Sequence, residues 1–60
     1  MDLTTKELGF VEECIKAEAL AAVKLELYER EAQDGELRDI CRRGIQSCNR
    51  HMDQLMDLLR

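Results

Sequence analysis

The chain has no proline and no tryptophan, and only one phenylalanine, one tyrosine and one histidine among 60 residues. With aromatics at 3%, a core has to be built from Leu, Ile, Val, Ala and Met. No run approaches the ~20 consecutive apolar residues of a membrane span, which excludes a spanning helix. The N-terminus carries acids where a secretory signal needs a basic segment and an apolar run, so the cytoplasm is the expected compartment. No stretch has a strand pattern. A Ser-His-Asp set is absent, and Gly9, Gly35 and Gly44 stand singly rather than in a phosphate-binding loop. The length excludes Rossmann domains, β/α barrels and sandwiches, which need more layers than this chain can supply.

What is present is ordinary for a globular protein: 45% apolar and 37% charged residues, a balance that argues against disorder. Thirteen acids against nine bases give a net charge of −4, which argues against nucleic acid and anionic lipid as partners. Residues 1–34 hold nine acids and four bases, and residues 35–60 hold four acids and five bases. The first half is thus acidic and the second slightly basic, which favours packing one on the other. A chain this short buries only about 60% of the surface its unfolded form exposes, and it needs a disulfide, a metal or a partner subunit for more than marginal stability.

Two helices and one turn account for the sequence. Thr4 and Glu7 have the spacing of a capping box. From there to Ala32 the chain is rich in Glu, Leu, Ala and Lys, all good helix formers. Gln33-Asp34-Gly35 breaks the run, and Asp34 is a good N-cap for a second helix whose Glu36 complements the helix dipole. The pattern predicts an all-α protein with helices over about 5–32 and 35–59 and a turn at 33–35. Pairs four residues apart, Glu12 with Lys16, Glu26 with Arg30 and Asp39 with Arg43, are expected to support the helices.

Apolar spacing says which faces are buried. In the second helix Leu37, Cys41, Gly44, Cys48, His51, Leu55 and Leu58 follow alternating steps of four and three, a heptad seam. Ile40, Ile45, Met52, Met56 and Leu59 widen it. In the first helix Val11, Ile15, Glu18, Ala22 and Leu25 form a seam, with Phe10, Cys14, Ala17, Ala21 and Tyr28 beside it. Leu20, Val23 and Leu27 make a third patch on the far side. These stripes are wider than one hairpin can cover. The expected architecture is an antiparallel hairpin that pairs with a second copy into a four-helix bundle, most simply as a twofold homodimer.

Three seam residues are polar: Glu18, Cys48 and His51. With the turn near residues 33 and 34, position 18 falls level with position 49, so the three share one expected core layer. Burying a lone carboxylate or imidazole costs several kcal/mol, and either a Glu–His pair or a bound metal resolves that cost. Both remain open: a hydrogen-bonded Glu18–His51 pair with Cys48 as a small core residue, or a metal site on Glu18, Cys48 and His51. Thiolate suits zinc or copper(I) better than a bridged di-iron centre. Cys41 and Cys48 lie about 10.5 Å apart along one helix, too far for a disulfide, and three cysteines is an odd number. Reduced core thiols are expected.

The arrangement resembles ferritin-like bundles, which combine a Glu on one helix with Glu-x-x-His on the next; here Cys48-x-x-His51 has Cys in place of the second Glu. Lys6-Glu7-Leu8, the run from Glu18 through Tyr28, Asp34-Gly35-Glu36-Leu37-Arg38, His51 and the closing Leu55, Leu58 and Leu59 resemble the spore coat protein F family. That resemblance covers nearly the whole chain. It implies a ferritin-like helical bundle, a structural or spore-associated role, and other coat or helical proteins as partners.

The sequence therefore predicts a non-enzymatic, self-associating helical protein with no catalytic residues and no resident cofactor. One alternative is a metal-binding or redox bundle holding a transition metal such as zinc or iron at Glu18, Cys48 and His51. Another is a regulatory module that docks on a larger protein through Leu20, Val23 and Leu27.

Overall fold

A computed structural model describes residues 3–60 of the chain. Among these residues it is all-helical, with two helices and no strands: α1, Thr5–Glu31, and α2, Gly35–Asp57. They pack on each other as a hairpin 45 × 14 × 11 Å in extent. Neither helix is long and apolar enough to cross a membrane.

The helix starts follow the sequence signals. Glu7 N donates to Thr4 Oγ1 at 3.1 Å and Thr4 N donates to Glu7 Oε1 at 3.0 Å, so two otherwise orphaned donors are satisfied reciprocally. Asp34 Oδ1 accepts from Glu36 N at 2.9 Å and opens α2. The ends differ slightly from expectation. α1 stops at Glu31, where Ala32 turns extended, and α2 stops at Asp57, its last residues tightening into i→i+3 bonds such as Leu58 N to Leu55 O.

The capping box carries a pH dependence. The bonds from the Thr4 backbone and side chain hold the Glu7 carboxyl below its usual range. A group whose pKa is lowered by folding stabilises the fold above its unfolded value and loses that contribution as pH falls through the folded one. Helix stability is therefore expected to decline on acidification through and below the usual glutamate range. Glu7→Gln keeps the box but removes the titration, and should flatten the acid limb of Tm against pH. An unaltered acid limb would assign the decline to other carboxylates.

None of the three expected i,i+4 pairs forms, and two are replaced by other partners. Lys16 meets Glu13 at 3.6 Å rather than Glu12, and Asp39 meets Arg42 at 3.7 Å rather than Arg43. Arg43 Nε instead donates to the Asp39 carbonyl at 3.4 Å, and Glu26 and Arg30 do not pair. Arg42 bridges the hairpin, its guanidinium 3.0 Å from Glu29 Oε1.

The core is small. Among the described residues Val11, Ala22, Cys41 and Cys48 are buried, and no large side chain is fully enclosed. Leu25 lies over Gly44: a Cβ on Gly44 would sit 2.8 Å from Leu25 Cδ1, whereas one on Gly9 would meet nothing within 4 Å. Replacing an interior helical glycine by alanine gains roughly 1 kcal/mol. Gly9→Ala is expected to show that gain in urea unfolding at fixed protein concentration. Gly44→Ala should show less, because Leu25 has to move. Equal gains would mean that the Leu25–Gly44 approach does not set the helix spacing.

Candidate functional site: an apolar groove face with a Glu–His pair

Glu18 on α1 and His51 on α2 are brought together across the hairpin, with His51 Nδ1 3.2 Å from Glu18 Oε1, where an Nδ1–H donates to the carboxylate. The Glu18 carboxylate also lies beside Cys48, so the three residues expected to be neighbours are brought together. Cys48 sits one turn nearer the loop, buried in the seam. Burial pushes its thiol pKa up, and the adjacent Glu18 carboxylate adds to this as an acceptor and as a negative charge. The proton thus stays on sulfur.

The pair was expected in a core layer. In the single hairpin it lies at a rim: Glu18 is half-buried and His51 exposed. Two helices share only one seam, and His51 projects from the flank of α2's apolar arc. Cys14, expected among the core thiols, is exposed for the same reason, while Cys41 and Cys48 are buried; all three are free. Among the described residues no group of three or more His, Cys, Asp or Glu side chains is arranged to hold a metal ion.

The Glu18–His51 pair belongs to a larger feature. With Cys14, Leu55 and Leu58 it lines an open groove of about 460 Å³ near the free end of the hairpin. A second groove of about 440 Å³ lies near the loop, lined by Leu25, Tyr28, Leu37 and Ile40. A projection at about 100° per residue puts Cys14 and Tyr28 on one flank of α1, and His51, Ile40 and Leu58 on the facing flank of α2. The two grooves therefore run in line along one face. The opposite face differs: near the loop its groove is lined by Glu26, Glu29, Arg30, Arg38 and Arg42.

Tyr28 and Met56, both on apolar stripes by spacing, are exposed in the single hairpin. Sequence reasoning had not anticipated the Glu29–Arg42 bridge or the role of Gly44. A signal for the latter was available, since glycine at a seam position marks a place where another element can come close. Comparison with known protein families, characterised proteins and solved structures gives no match.

Proposed function

We propose that the chain is a self-associating helical module with a structural or interaction role and no enzymatic activity. Its groove face mates with the same face of a second copy to form a four-helix bundle. One observation carries this. The hairpin exposes 4828 Å², whereas a compact folded chain of 7.0 kDa exposes roughly 4,000 Å². The excess of about 800 Å² matches what one partner buries in a standard-size interface. Tyr28 and Ile40, 52% and 53% exposed, lie on the face with most to gain.

In that bundle Glu18 and His51 become a buried, mutually satisfied pair near the interface. This removes the penalty that either would incur alone. The sequence resemblance to the spore coat protein F family supports the same kind of structural role. Sedimentation equilibrium at tens of micromolar is expected to give twice the chain mass or a multiple of it. A folded species of single-chain mass overturns the proposal.

The Glu18–His51 contact also favours a second reading, in which a twofold partner doubles the Glu18, Cys48 and His51 set and the doubled set holds a transition metal such as zinc or iron. The raised Cys48 pKa weighs against a thiolate ligand before a metal arrives, since binding has to displace that proton. Elemental analysis of anaerobically purified protein discriminates the two. Stoichiometric zinc or iron supports the metal reading, and metal-free protein with a Tm indifferent to added Zn²⁺ or Fe²⁺ overturns it.

A further inference from the structure

The groove face leaves one apolar surface unused. α1 carries apolar side chains on its outer side as well, set among charges, unlike α2, whose outer side is polar. Leu20, Val23 and Leu27 lie on the side of α1 away from the grooves, and Val23 at 61% is the most exposed large apolar residue among the described residues. Glu13, Lys24 and Glu31 separate this patch from the groove face, so one partner does not cover both.

The charges beside the patch identify what does cover it. Glu12, Lys16, Ala19, Val23, Glu26 and Arg30 recur at alternating steps of four and three, which makes them one continuous stripe along the helix. All six are exposed. Glu12, Glu26 and Arg30 form no ion pair among the described residues, and Lys16 has only the distant, exposed Glu13. The stripe is complementary to itself when reversed about residue 21: Glu12 then faces Arg30 of the other copy, Lys16 faces Glu26, and Ala19 faces Val23. Parallel pairing would instead set each charge against its own kind.

We propose that this outer stripe of α1 is a second contact surface, and that its partner is the same stripe of another copy, packed antiparallel. Leu20, Val23 and Leu27 fill the contact and four symmetry-related ion pairs set its register. Resting on the groove-face dimer proposed above, it makes each chain bivalent, so that dimers join into tetramers or longer arrays.

Sedimentation velocity of the full chain over a concentration series tests this. The parent protein is expected to populate species larger than a dimer at high concentration, and Leu20→Glu/Leu27→Glu to stop at the dimer. Lys16→Glu and Glu26→Lys should each weaken the dimer–dimer step by about tenfold, since two exposed pairs turn repulsive. The double swap Lys16→Glu/Glu26→Lys restores opposite charges and should recover most of the loss. All these side chains are exposed in the hairpin, so circular dichroism of the variants should match the parent. A size distribution unmoved by Leu20→Glu/Leu27→Glu, or a double swap no better than the single changes, overturns the proposal. Failure of the groove contact shows separately, as a dimer that persists when Tyr28→Glu/Ile40→Glu is combined with Leu20→Glu/Leu27→Glu.

Discussion

Tyr28→Glu/Ile40→Glu is expected to convert the protein to a monomer and to take much of its helix content with it. Within one hairpin these substitutions touch little. Both positions are about half-exposed, and surface changes of this kind are usually within about 0.5 kcal/mol. In the proposed bundle the same positions are buried, and twofold symmetry repeats each change. Every copy then loses roughly 1.5–3 kcal/mol for each large apolar side chain no longer buried, and gains a carboxylate that costs several kcal/mol to dehydrate. The dimer constant should weaken by at least about a thousandfold. Among the described residues the liberated hairpin has four that are buried, none larger than valine in volume, so helix is lost along with the partner. Sedimentation and far-ultraviolet circular dichroism on the same samples read both effects. A variant that stays dimeric even with the α1 stripe blocked by Leu20→Glu/Leu27→Glu would remove the groove face from the interface.

Cys48→Asp is expected to leave the chain largely unfolded near neutral pH, whereas Cys48→Ala folds with a loss of about 1 kcal/mol. Cys48 is buried at the helix–helix seam, and its thiol is held in the neutral form by burial and by the Glu18 carboxylate beside it. A second carboxylate there would be dehydrated and would face a like charge. That penalty of several kcal/mol exceeds the ~3–5 kcal/mol that a core in a chain this small supplies. Both effects raise the introduced carboxyl's pKa in the folded state. The folded state is therefore penalised at higher pH and relieved as pH falls, so mild acidification should restore helix to this variant. Circular dichroism across the pH range checks the sign. A variant as helical as the parent at neutral pH would place position 48 at the surface.

Local signals made most of the hairpin legible in the sequence. The Thr4–Glu7 box and Asp34 cap act within one turn, so their residue types alone fix where each helix begins. The i,i+4 ion pairs were less legible. Arginine and lysine are long enough to choose among several neighbours, and Arg42 reaches Glu29 on the other helix. The meeting of Glu18 with Cys48 and His51 was readable from the position of the turn, which sets which residues of the two helices fall side by side. Burial was the least legible property. Heptad spacing ranks residues by face, but it does not say whether an apolar face is covered by this chain or by another. Cys14, Tyr28 and His51 are therefore seam residues by spacing and exposed residues in the single hairpin.

The central claim is that this hairpin is half of a folded unit, and dilution tests it most directly. Helix content by circular dichroism and mass by sedimentation should be followed together from high micromolar to nanomolar concentration. Because obligate dimers have no stable folded monomer, helix signal and dimer mass are predicted to fall together, with one midpoint and a Tm that rises with protein concentration. A monomer that keeps full helix content and a concentration-independent Tm would contradict the account.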